Sequence, residues 1–142
     1  MIIAETESLI RDNDIPLPRA KFRRQSEGED PTILADIYLD ETNIVIWRRK
    51  LPATFSQSIE SFLDLNSELQ VAMVVTPETA YSLIHEKLAD SGQHELCKNI
   101  DQLVGMFCSL LEVQRVGLRL ANLDRAMCPK FHVDKVPCRM VT

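Results

Sequence analysis

Apolar residues recur along this chain at two periods, one suited to helices and one to strands, and the two alternate. Between Pro31 and Leu39 the run Thr-Ile-Leu-Ala-Asp-Ile-Tyr-Leu predicts a short helix. Asp30 is placed as its N-cap and Pro31 at the first helical position, where a missing N–H costs nothing. A turn at Asp40–Asn43 leads into Asn43-Ile44-Val45-Ile46-Trp47-Arg48, whose β-branched and aromatic density predicts a buried strand. A helix reaching Leu65 follows, capped by Thr54 or Ser56, with Ile59, Phe62 and Leu63 on its apolar side. Leu69–Val75 is a second apolar run of strand length. Thr76-Pro77-Glu78 then reads as a helix start, with Thr76 as cap and Glu78 set against the dipole. That helix carries Ala80, Leu83, Ile84 and Leu88 on one face and should stop near Ser91-Gly92. From Glu95 to Glu112 the stripe Leu96, Ile100, Leu103, Phe107, Leu110 and Leu111 is wide enough to need cover from several neighbours. Val113–Leu123 changes period again, with Val116, Leu118 and Leu120 on one face and Gly117, Arg119 and Ala121 on the other.

The ends of the chain break these patterns. Residues 1–30 predict a flexible or loosely docked arm. Its Ile15-Pro16-Leu17-Pro18 stretch is incompatible with a helix interior. Arg19, Lys21, Arg23 and Arg24 around Phe22 form a basic patch, more economically a solvated tail than a binding surface. At the other end, Cys138–Thr142 is apolar and strand-like with an uncovered end, through which a second copy could complete the sheet. The fold class expected is α+β: one domain over 31–142, with helices packed on a mostly antiparallel sheet that gathers near the C-terminus.

Composition narrows the classes. A chain of 142 residues with 45% hydrophobic and 26% charged residues is an ordinary globular domain able to bury a core. A net charge of −5 argues against nucleic acid as a partner. From Val113 onward the balance reverses, with six basic residues against two acidic. That local excess would favour an anionic small molecule, although a solvated face explains it equally well. No apolar run reaches the ~18 residues of a membrane span, and the acidic start lacks the features of a signal peptide. The four cysteines show no C-x-x-C spacing and are read as reduced thiols of a cytoplasmic protein. With four glycines in the chain there is no phosphate-cradling loop, and neither a nucleophile elbow nor a zinc-protease helix motif occurs.

Candidate chemistry concentrates in one stretch, Met127-Cys128-Pro129-Lys130-Phe131-His132-Val133-Asp134-Lys135-Val136-Pro137-Cys138-Arg139. Read as an extended segment, it places His132 and Asp134 on one face, with Phe131 and Val133 turned behind them. Two residues along a strand, their Cα atoms are about 6.6 Å apart, close enough for both side chains to reach one cation. Cys128 would lie about 13 Å from His132, too far to share that cation or to form a nucleophile–base pair unless the chain turns at Pro129. A His-x-Asp pair supplies two of the three protein ligands of a non-haem iron centre. The alternative is a satisfied histidine–carboxylate pair that only holds a turn. Elsewhere, His94, Cys97 and Asp101 are spaced to face one way across a helix start, but Cys97 reads more simply as a small core residue. His85 reads as a surface histidine, and Cys108 as core.

The run Cys128-Pro-x-Phe131-His132-x-Asp134-x-Val136-Pro137-x-Arg139 resembles the signature of a bacterial domain-of-unknown-function family, number 1826. Members of that family are often encoded near zinc-homeostasis genes. The His-x-Asp strand is also similar to the first half of the metal site in double-stranded β-helix oxygenases. The resemblance implies the start of an incomplete double-stranded β-helix, with His132 and Asp134 as ligands to Fe(II) or Zn(II). Lys130 and Arg139 are then candidates to hold an anionic substrate. The family pattern would run on past Thr142, so the distal histidine and the basic residue that would hold a 2-oxoglutarate carboxylate are not expected here. A third ligand is expected from a segment outside this chain or from a second subunit. The alternative is a non-catalytic accessory protein of zinc homeostasis, with Cys128 and Cys138 joining His132 and Asp134 in a thiolate-rich site.

Overall fold

The computed structural model of the chain describes residues 2–3, 24–88, 92–123 and 138–142. In chain order the elements are β1 (Ile2–Ile3), β2 (Arg24–Gly28), a 3-10 helix (Pro31–Tyr38), β3 (Thr42–Trp47), α1 (Ala53–Leu65), β4 (Gln70–Val75), α2 (Ala80–Lys87), α3 (His94–Leu111), β5 (Val116–Ala121) and β6 (Arg139–Met140). They fall into two compact units, one of Met1–Glu7 with Pro52–Thr142, the other of Ser8–Leu51. The stretch 1–30, expected as an arm, thus contributes β1 to one unit and β2 to the other.

The smaller unit pairs β2 with β3 in parallel, Gln25 opposite Ile44 through Gly28 opposite Trp47. Parallel neighbours need a crossover, and the 3-10 helix provides it. The Asp30 carboxylate caps that helix, accepting from the Thr32 hydroxyl at 2.6 Å and the Thr32 N–H at 2.9 Å. These two bonds, the hydroxyl's first, hold the Asp30 carboxyl below its usual pKa. The cap and Pro31 are as expected, but the turns close through i,i+3 bonds, as in Ile33 N–H to Asp30 O and Leu39 N–H to Asp36 O. Gly28 lets this helix lie close, since a Cβ there would meet Ile33 Cγ1 at 3.3 Å. β3 is not the buried strand its composition suggested. It belongs to a two-stranded sheet with no residue fully buried, and Ile44 is half exposed. Trp47 donates its indole N–H to Glu29 O at 3.0 Å, and Arg48 pairs with Glu27. Arg24, from the basic patch, belongs to β2 and pairs with Glu41.

The larger unit holds an antiparallel four-stranded sheet in the order β4-β5-β1-β6. The fold is therefore α+β, as expected. Among the described residues the sheet is open and does not close into a barrel. α3 is central to the core, burying Cys97, Ile100, Leu103, Val104, Phe107 and Cys108. α2 adds Ala80 and Ile84, α1 adds Phe62, β4 adds Val75, and β5 adds Val116 and Leu118. On β5 the alternation read from sequence holds, with Arg119 exposed between buried and half-buried neighbours.

Two helix starts differ from expectation. α1 begins at Ala53 behind an extended Pro52, so Thr54 and Ser56 sit inside the first turn and no side chain caps it. α2 begins at Ala80, one turn later than Thr76-Pro77-Glu78 suggested. Thr76 instead opens a tight turn: its N–H donates to Thr79 Oγ1 at 3.0 Å, and its carbonyl accepts from the N–H groups of Thr79 and Ala80. α2 also ends earlier, at Lys87 with Leu88 as its C-cap, rather than near Ser91-Gly92. α3 ends at Glu112 in the left-handed region, φ 53°, where Cys108 O accepts from the N–H groups of Glu112 and Val113. No helix among the described residues is long and apolar enough to cross a membrane.

Candidate functional site

The segment that carries the metal-capable motif joins β5 to β6. Both strands run antiparallel to β1, so they are parallel to each other with β1 between them. Leu118 and Met140 face Ile2 from its two sides, and Gly117 and Arg139 face Ile3. Strands spaced about 4.8 Å apart put β5 and β6 roughly 10 Å from each other.

The near end of this segment is held by Asn122. Its side-chain amide donates to Leu63 O at 2.8 Å and Asn66 O at 3.3 Å, at the C-terminal end of α1. Its backbone N–H donates to Leu69 O at 2.9 Å, continuing the β4–β5 ladder by one bond. The far end is held by the pairing of Arg139 and Met140 with β1. Cys128, Lys130, His132 and Asp134 lie outside the described residues, so the geometry shown is that of the anchors. Cys138 sits half-buried just before β6, and burial pushes its thiol pKa up against a smaller opposing effect of a backbone hydrogen bond involving Arg139. Arg139 itself is exposed.

The second set of sequence candidates is rearranged by the packing of α2 on α3. Cys97 is buried in the core and does not join His94 and Asp101. Asp101 turns to α2, where its Oδ1 accepts from the Tyr81 N–H at 3.1 Å. His94 lies beside His85, ring centres 4.9 Å apart, and its Nδ1 is 3.3 Å from the Tyr81 hydroxyl. Among the described residues no three His, Cys, Asp or Glu side chains come together as a metal cage. Sequence reading missed the His85–His94 pair because the two lie on different helices. Tyr81 and His85, at i and i+4, were the available signal for half of it.

Residues 28–142 match the family described as a protein of unknown function, DUF1826. The chain belongs to the DUF1826 family. The match takes in both anchors of the β5–β6 segment, the whole motif between them and the α2–α3 pair. No curated protein and no solved structure matches this DUF1826 chain.

Proposed function

We propose that this DUF1826 protein binds a divalent transition metal through His132 and Asp134. The observation that supports the reading is the anchoring of their segment at both ends, by Asn122 on α1 and by Arg139 on β1. A loop already closed on the sheet loses less chain entropy on wrapping an ion than a free tail would. In this reading the ion, Fe(II) or Zn(II), acts as template and Lewis acid for an anionic small molecule held by Lys130 and Arg139. The protein is then oxygenase-like, with its sheet as the start of a double-stranded β-helix. A second subunit, added at the short β6 edge, is one source of a third ligand. A cytoplasmic location belongs to the same reading.

The half-buried Cys138 favours a second reading, in which Cys128, His132, Asp134 and Cys138 form a non-catalytic zinc site of zinc homeostasis. Burial raises the Cys138 thiol pKa, so zinc bound there must displace a proton against that shift. Anaerobic Zn(II) and Fe(II) titrations of the parent and of a Cys128→Ser/Cys138→Ser variant separate the two. An unchanged response of the His132 imidazole signal to Zn(II) in the variant supports the oxygenase-like site, and loss of that response supports the thiolate site.

A further inference from the structure

The α2–α3 pair presents two imidazoles that the motif does not use. His85 lies in the last turn of α2, and His94 is the first residue of α3. Both are exposed, with ring centres 4.9 Å apart and ring planes 26° from parallel. Tyr81, one turn before His85, stacks on the His85 ring at 5.8 Å and brings its hydroxyl to within 3.3 Å of His94 Nδ1. The Tyr81 backbone is in turn tied to α3 through Asp101. We propose that His85 and His94 form a solvent-open site for a divalent transition metal of the zinc, nickel or copper type, separate from the His132–Asp134 motif.

Geometry carries this assignment. Two imidazoles bound to one tetrahedral ion, with metal–nitrogen bonds of about 2.0–2.1 Å, hold their ring centres about 5 Å apart. The observed 4.9 Å matches that spacing. The two rings stack face to face, so their in-plane lone pairs meet at one ion only when the exposed His85 ring turns about χ2, a broad torsion, while His94 keeps its bond to Tyr81. Nitrogen ligands of this kind select zinc, nickel and copper over magnesium and calcium.

Tyr81 supplies the remaining element. When His94 donates its Nδ1 proton to the Tyr81 oxygen, the Nε2 lone pair is left for the metal, the tautomer control that outer partners give histidine ligands. Tyr81 is a positioning residue in this site, and water completes the coordination. The helices themselves need little ordering, because Ala80 and Ile84 of α2 and Cys97 and Ile100 of α3 are already buried in the core.

The chain has three histidines, so its imidazole C–H spectrum carries three sets of signals, assignable with His85→Gln, His94→Gln and His132→Gln. Zinc chloride is titrated into the full chain while these signals are followed, with circular dichroism confirming that each variant is folded. The His85 and His94 signals should move together with one midpoint, in the parent and equally in a His132→Ala/Asp134→Ala variant. His85→Gln should remove the His94 response. Tyr81→Phe should keep both responses but shift the midpoint to about tenfold higher zinc. The proposal is overturned if His94 responds to zinc unchanged in His85→Gln. It is equally overturned if neither signal moves, or if their response disappears in the His132→Ala/Asp134→Ala variant.

Discussion

Asn122→Ala tests the anchor that holds the motif segment to the sheet. The half-buried side chain makes two hydrogen bonds, at 2.8 Å to Leu63 O and 3.3 Å to Asn66 O. Both acceptors lie at the C-terminal end of α1, where helix carbonyls lack intrahelical partners. Each keeps a second donor, since Asn66 N–H reaches Leu63 O and Leu69 N–H reaches Asn66 O. Truncation therefore loses bonds without orphaning either carbonyl. A net hydrogen bond contributes ~1 kcal/mol, and the longer one less, so the expected loss is about 1–1.5 kcal/mol. For a chain of this size that lowers the thermal midpoint by roughly 3–6 °C. Asn122→Asp should lose at least as much, because it turns a carboxylate toward the negative end of the α1 dipole. Urea unfolding followed by circular dichroism should show a lower midpoint at unchanged slope. An alanine variant within about 0.3 kcal/mol of the parent, below the weakest net hydrogen bond, would refute this account of the anchor, as would an aspartate variant of full stability.

Two further outcomes follow from the core and from the end of α3. Burial pushes the Cys97 and Cys108 thiols up, the Glu78 charge adding to the effect at Cys108. Their contribution to stability is complete below the unfolded thiol value of ~8.5 and is lost as pH rises beyond it, because the unfolded chain releases these protons first. Urea midpoints should therefore fall between about pH 8 and 10, and Cys97→Ala/Cys108→Ala should flatten that fall; an equal slope in the variant would exclude the thiols as its cause. Glu112 holds a left-handed conformation at φ 53°. Glu112→Gly should raise stability by about 0.5–1 kcal/mol, the relief of left-handed strain exceeding glycine's extra chain entropy; a loss of stability would show that the Glu112 side chain matters more than its backbone.

What the sequence made legible was local. The Ile100, Leu103 and Phe107 centre of the α3 stripe, the alternation on β5 and the Asp30–Pro31 start of the 3-10 helix each rest on neighbouring residues and appear where expected. Leu96, Leu110 and Leu111 of that stripe are only half-buried. β1 and β2 were illegible for opposite reasons. Ile2-Ile3 is too short to show a period, and its place between Leu118 and Met140 depends on residues more than a hundred positions away. Arg-Gln-Ser-Glu-Gly has no apolar face, so β2 is specified through backbone pairing with β3 rather than through burial. Thr76-Pro77-Glu78 carries helix-start chemistry, yet the Thr76–Thr79 turn takes those hydrogen bonds and delays α2 by a turn. The same limit applies to candidate sites. His132 and Asp134 could be paired by strand parity alone, whereas His85 and His94 meet only once α2 packs on α3.

The central claim is that His132 and Asp134 bind a metal. Its most direct test is elemental analysis of the purified chain carrying His85→Gln/His94→Gln, so that this pair contributes no metal, beside the same chain with His132→Ala/Asp134→Ala added. The account predicts metal in proportion to protein in the first and its disappearance in the second. Equal, negligible metal in both proteins would contradict it, and the Cys-Pro-x-Phe-His-x-Asp run would then be a structural feature of the connection between β5 and β6.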